Sequence, residues 1–336
     1  MRNSLKCLLL VAVLLSLSQR DSTAECMPVS ADPVGWWQGD GNAIDVAGSN
    51  NGVLKNGATF GTGFQGEAFS FDGIDDYVEL PPAVAQSIPE DFTVSAWIYP
   101  RGSKICAIAC DFTVFIRGTD LDDGWGAQLS RRPDNVMCFG VVVPDSNGQW
   151  VQVNICSSKE MCIEQWHHVV GVRRGTSIEI WVDGQINSGS TFPGPLRGTG
   201  RSFIGWGGPN PFAQSGDDFF FNGLIDEVTV YNRALALSEI LETFNCKVLA
   251  LLQHLTDTVV SLNLRAGIED SLDAKLDAAM HAMEDVNQNN GVAACGSLQA
   301  FINAVEAQRD NQITSAQANT LSAEAQTIMN LVCCNP

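Results

Sequence analysis

The sequence predicts two parts, a long all-β part followed by a small all-α bundle. Three observations carry this. Residues 168–173 and 177–182 each alternate polar and apolar side chains, with Arg174, Gly175 and Thr176 between them and Asp183 and Gly184 after them. That is the pattern of two half-buried strands around a tight turn; the apolar residues three and four apart that a helix needs are missing. Similar short runs recur from residue 68 to residue 231, separated by stretches rich in Gly, Asn, Asp and Pro. At Leu235 the period changes, and Leu252, Leu255, Val259 and Leu262 fall at helical spacing.

The bulk numbers narrow the function. The chain has 336 residues, 45% of them hydrophobic and 17% charged, enough for a packed core and for two domains. A formal net charge of -19 argues against nucleic acid and anionic membrane surfaces as partners, because both select basic patches. Arg2 and Lys6 precede an apolar run over residues 7–17, and Ser22, Thr23 and Ala24 offer small residues for cleavage. Residues 1–24 therefore read as a secretory signal peptide, too short to span a bilayer, and the mature protein is expected to be exported without membrane insertion. Of the 11 cysteines, Cys7 lies in that segment; the even number left implies disulfides in an oxidising compartment.

Trp36 opens the β part. Residues 38–52 form a polar loop that holds Asp40, Asn42, Asp45, Asn50 and Asn51. Hard cations select such clustered oxygens. The spacing is not that of an EF-hand, and a loop built on Asn and Asp turns is the more ordinary reading. Strands follow at 68–71, 77–80 and 92–99, the last a central one. Less regular strands at 104–118 and 125–130 are separated by an acidic turn, whose Asp122 and Asp123 are candidate ligand residues or simply an exposed loop tip. Residues 136–143 and 149–155 flank Pro144, Asp145, Ser146, Asn147 and Gly148, which predicts a hairpin. Its antiparallel pairing brings Cys138 almost opposite Cys156, within disulfide reach if the turn holds an odd number of unpaired residues. Another strand runs over 201–206. Trp206 and Phe212 then stand beside polar loop residues, which suits a sugar-stacking platform, although core or rim packing is the commoner role for such aromatics.

Three stretches carry a family resemblance. Trp166-His167-His168-Val169, with a strand closing on Trp181-Val182-Asp183-Gly184, resembles the laminin-G-like, concanavalin A-like jelly rolls. Ala68-Phe69-Ser70-Phe71-Asp72-Gly73 resembles the early strand and turn of that family. Gly223-Leu224-Ile225-Asp226-Glu227-Val228, running on to Arg233-Ala234-Leu235, resembles its last strand and the short helix after it. The resemblance implies an all-β jelly-roll sandwich over residues 25–245. It also implies a structural calcium between the 38–52 loop and the final strand, with Asp40, Asp45 and Asp226 as carboxylate ligands.

Behind it, residues 246–336 predict a bundle of four short amphipathic helices. Sets such as Leu272, Leu276, Ala279 and Met283 recur between breaks near 263–267, 287–291 and 309–313. Thr314 with Gln317 reads as a capping box for the last helix. Gly267-Ile268, Ser271-Leu272, Ala274-Lys275-Leu276 and Ala300-Phe301-Ile302-Asn303 resemble the FIMAH-type domain found at the C-terminus of exported bacterial proteins. That resemblance implies no chemistry.

Cys26 and Cys246 bracket the jelly roll and are expected to pair, since the ends of such a domain usually lie close together. Cys295 is expected to reach one of the vicinal pair that begins with Cys333. Glucanases share the jelly roll, so catalysis needs weighing. Strand alternation sends Asp226 and Glu227 to opposite faces, which leaves no carboxylate pair for glycoside hydrolysis. The function expected is therefore recognition without catalysis, of an extracellular glycan or protein and with calcium at one rim. A matrix component without a specific ligand is the alternative, and a glycoside hydrolase the less favoured one.

Overall fold

The computed structural model describes residues 32–88, 90–102, 112–119, 124–208, 219–284 and 290–333. The expected signal peptide, Cys26, Asp122, Asp123 and Phe212 lie outside the described residues, as does the side chain of Cys333. The first strands are β1 (Gly35–Trp37), β2 (Val53–Lys55), β3 (Thr59–Thr62), β4 (Glu67–Asp72) and β5 (Tyr77–Leu80). After the short α1 (Pro82–Gln86) come β6 (Phe92–Pro100), β7 (Phe112–Thr119), β8 (Ala127–Arg131), β9 (Met137–Pro144) and β10 (Trp150–Cys156). The remaining strands are β11 (His167–Arg174), β12 (Ser177–Val182), β13 (Gln185–Ser190), β14 (Arg201–Ile204) and β15 (Asn222–Tyr231). Four longer helices follow: α2 (Leu237–Ser261), α3 (Ala266–Glu284), α4 (Asn290–Ala307) and α5 (Ser315–Cys333).

The strands form two antiparallel sheets packed as a sandwich. The first has the order β13-β12-β11-β6-β15-β4-β3, with β1 also paired to β15; the second has the order β10-β9-β8-β7-β14-β5-β2. Alternate side chains of the central strands, among them Phe71, Val94, Phe139, Val169, Ile180 and Val228, fill the space between the sheets. Burial of this apolar area is the main driving force for the sandwich. In the predicted hairpin, residues 145–149 are the five between the paired ends, an odd number, and Cys138 faces Cys156. The two are joined by a disulfide. Asp145 organises the turn: its Oδ1 accepts the N–H groups of Asn147 and Gln149, both at 2.8 Å.

The outer face of the first sheet is not free. Every residue of β6 except Tyr99 is buried, because the face opposite the sandwich core is covered by α2. Ile240 of α2 packs against Val170, Val172, Trp181 and Tyr231. Phe244 belongs with Trp97 to the cluster that continues into the helical bundle. Phe64 stacks on Trp97, with ring centroids 3.7 Å apart. The helix runs unbroken through the boundary expected at 245/246, since its first half docks on the sheet and its second half packs in the bundle. The expected capping box is present: Gln317 Oε1 accepts the Thr314 N–H at 2.9 Å, and Thr314 Oγ1 accepts the Gln317 N–H at 3.3 Å. Cys246 and Cys295 are both disulfide-bonded. The expected partners, Cys26 and the Cys333 side chain, fall outside the described residues.

Candidate functional site

The three carboxylates expected to share calcium do not converge. Asp45 turns back into its own loop, where Oδ1 accepts the Trp36 and Ala47 N–H groups at 2.9 and 3.0 Å and Oδ2 accepts that of Asn50 at 2.9 Å. Asp40 Oδ1 accepts the Glu67 N–H at 2.7 Å. Asp226 Oδ2 accepts the N–H groups of Phe64 and Gln65 at 2.9 and 3.1 Å. Asp40 and Asp226 thus hold opposite ends of one turn at residues 63–67, and Asp45 holds another. Among the described residues the group of three acids whose oxygens lie within 4.8 Å of one another is Asp72, Asp75 and Asp76, a different set. Asp40, Asp45 and Asp226, as placed, do not form a shared ion site.

Asp226 and Glu227 depart from the sequence reading in a second way. They lie on the same face of β15, not on opposite faces. The register against β6 shifts between Asp226 and Thr229, and Glu227 adopts a left-handed φ of 54°. This is a β-bulge, in which an inserted residue re-aims the side chains beside it. Ile225 and Val228 point into the sandwich core while both acids point outward, beneath α2. Lys247 of α2 approaches Glu227 at 3.6 Å and also contacts Gln65. Trp36 Nε1–H donates to the other Glu227 oxygen. Burial, and then the Glu227 charge, push the Asp226 carboxyl up to about 8. His168 shares this junction. Burial, then the Lys247 charge, bring it down to about 3, so it is a neutral imidazole, with Ser95 Oγ 2.9 Å from its Nε2. Phe244 stacks over it. A carboxyl pair therefore exists, but it is closed in by a helix and a lysine.

His167 is placed differently. Its Nδ1 lies 2.7 Å from Asp183 Oδ2, and its Nε2 lies 2.9 Å from the Cys162 carbonyl. Burial pulls its pKa down, but Asp183 and the carbonyl more than offset this, so the net shift is upward. With both nitrogens facing acceptors, His167 is an ion-pair partner rather than a general base.

Trp206, expected in a stacking platform, sits in an aromatic cluster of its own. Phe220 stacks against it at 5.5 Å, Tyr77 lies 4.6 Å away and Phe203 meets it edge-on at 4.8 Å. Its contacts are with protein rings.

A ligand-like surface lies elsewhere, on the outer face of the second sheet. Strand β10 alternates cleanly: Trp150, Gln152 and Asn154 are exposed, while Val153 and Ile155 pack on the sandwich core. Trp150 is 44% exposed, and the Arg197 guanidinium lies 5.9 Å from its ring centre. Gln152 Nε2–H donates to Asn154 Oδ1 at 3.2 Å. On the neighbouring strand, Gly140 pairs with Asn154. A Cβ at Gly140 would stand 2.1 Å from Asn154 Oδ1 and 3.5 Å from the Trp125 ring. The missing side chain leaves room over the strand for the Asn154 amide, with the edge of the Trp125 ring close by. The result is two indoles and two amides on an open sheet face, the combination that stacks on sugar rings and bonds their hydroxyls. The sequence signal was an aromatic at the polar phase of an amphipathic strand, beginning at Trp150. Trp125 follows directly on the acidic turn that contains Asp122 and Asp123.

Comparison with known proteins places this architecture. The Laminin_G_3 family, described as the concanavalin A-like lectin/glucanases superfamily, matches residues 72–241, about half of the chain. No curated protein matches. Among solved structures, domain 4 of AbnA, a GH43 extracellular arabinanase from Geobacillus stearothermophilus in complex with arabinotriose, is 20% identical with a TM-score of 0.46. The match covers 63% of this chain and 98% of that one. The binding domains of botulinum neurotoxin serotypes G and D are 12% and 13% identical, with TM-scores of 0.49 and 0.47 and 65% and 66% of this chain covered. The chain spans about half of the length of those two, 51% and 53%. Likeness at this level says nothing about ligands. The two antiparallel sheets and the matched residues, which run from the end of β4 into α2, together assign the fold: the chain belongs to the concanavalin A-like lectin/glucanases superfamily.

Proposed function

We propose that the protein is an exported recognition protein without catalytic activity, and that its jelly roll binds glycan on the outer face of the second sheet. The observation that carries this is the strip of Trp150, Gln152 and Asn154 with Trp125 beside it, an aromatic–amide surface open to solvent. Membership of a lectin and glucanase superfamily supports a carbohydrate ligand, though fold alone does not choose among ligands. The Cys138–Cys156 disulfide supports an oxidising, extracellular location. The absence of catalysis rests on the state of the acids. Asp226 and Glu227 are buried under α2, where Lys247, Trp36 and the 63–67 turn engage them. The helical region, which resembles the FIMAH-type domain, serves in this reading to cover the first sheet.

A glycan array probed with the pure protein tests the reading. Binding is expected with and without a chelator, and it should fall in Trp125→Ala while the melting temperature stays close to that of the parent. An array without signal, or hydrolysis of xylan or laminarin that disappears on mutating Glu227, would count against it.

A further inference from the structure

The shape and charge of the β10 strip specify more than glycan in general. The inference that follows rests on the glycan-binding reading above. Trp150, Gln152 and Asn154 occupy alternate positions of one strand, so their side chains leave the sheet on the same side. At ~3.3–3.4 Å of rise per residue the row from Trp150 to Asn154 spans ~13 Å, longer than any single sugar ring. Among the described residues the row lies on the edge strand of its sheet. The Arg197 guanidinium lies over one side of the Trp150 indole, 5.9 Å from its centre, and 44% of the residue is exposed. None of the three side chains in the row is charged. The chain as a whole carries -19, which repels polyanions at long range.

We infer that the β10 strip takes an internal stretch of a linear, neutral polysaccharide laid along the strand, rather than a terminal sugar or an acidic chain. Trp150 stacks on one ring and Asn154, with Trp125 beyond it, engages a later one. Gln152 holds the Asn154 amide in place through its own hydrogen bond.

Titration calorimetry on the full chain tests this with xylan, mixed-linkage glucan and galactan, their oligosaccharides of increasing length, and polygalacturonate as the acidic comparator. For at least one neutral series, affinity is expected to climb with length and then level off, and to be indifferent to reduction of the chain end. Trp150→Ala and Asn154→Ala should each weaken binding about tenfold, the equivalent of one net contact. Trp150→Phe should keep most of it. Because both residues are exposed, circular dichroism and the melting temperature should match the parent and confirm folding. Strong binding of a monosaccharide, loss of binding on end reduction, a preference for polygalacturonate, or undiminished affinity in both alanine variants would overturn the inference while leaving glycan recognition intact. Failure to bind any glycan would remove both.

Discussion

A carboxyl group that stays protonated at neutral pH sets a pH dependence for the junction between sheet and helix. Asp226 ionises near the ordinary carboxylate range when unfolded, but only at about 8 in the folded chain. Between these limits folding takes up a proton. The stability linked to this group is intact below the ordinary carboxylate range and is lost as pH rises to about 8. His167 acts in the same direction. Its raised pKa stabilises the fold while the imidazole is charged, and that share is lost as pH rises through the folded value. Asp226→Asn keeps an oxygen to accept the Phe64 and Gln65 N–H groups and removes the titration. Its melting temperature relative to the parent is expected to rise steadily from pH 5 to pH 8; a constant difference across that window would mean that Asp226 is ionised throughout. None of this was legible in the residue string. Ile225-Asp226-Glu227-Val228 reads as plain alternation, and only the left-handed φ at Glu227 puts both acids on one side. Asp45 was ambiguous for a related reason: an Asp that caps its own loop, the more ordinary reading and the observed one, and an Asp that binds a cation have the same polar neighbours in sequence.

Among the elements, the β9–β10 hairpin was the most legible, because strand pairing follows from the position of the turn. The sequence places the loop at Pro144 to Gly148, which would set Cys138 opposite Asn154; the observed loop, Asp145 to Gln149, lies one residue later and sets it opposite Cys156. Replacing both cysteines by serine removes a closure between residues 18 apart in sequence. The expected loss is about 3 kcal/mol in the chain-entropy model. Urea unfolding monitored by circular dichroism measures it; an unchanged midpoint would show that the hairpin is held by its strands alone. The Thr314–Gln317 cap was equally legible, being a local pattern with a local cause. The extent of α2 was not. Its apolar residues serve two surfaces in turn, Ile240 and Phe244 on the sheet and Val248, Leu252, Leu255 and Val259 in the bundle. Periodicity shows that a helix has an apolar face; it does not say what that face meets.

For the molecule as a whole, the aromatic seam between sheet and bundle joins the two parts. Trp97 stands between Phe64 and Phe244, at 3.7 and 6.0 Å between ring centroids. Phe244→Ala would empty a buried site on this seam, at a cost of about 3–5 kcal/mol. The parent is expected to melt in one calorimetric transition. The variant should melt in two, with the near-ultraviolet signal of Trp97 lost in the first. A single transition in the variant, displaced by less than a degree, would show that the seam does not couple the parts.

The same seam has a consequence for the order of synthesis. The strands that carry Trp97, Val170, Trp181 and Tyr231 are made before α2, the helix that covers them. A nascent chain that has completed β15 can close its sandwich, yet it still presents a broad apolar wall until the 25 residues of α2 arrive. Exposed patches of this kind promote association between chains. Biogenesis of the β part thus depends on residues translated after it, and α2 acts as a shield delivered late by the same chain.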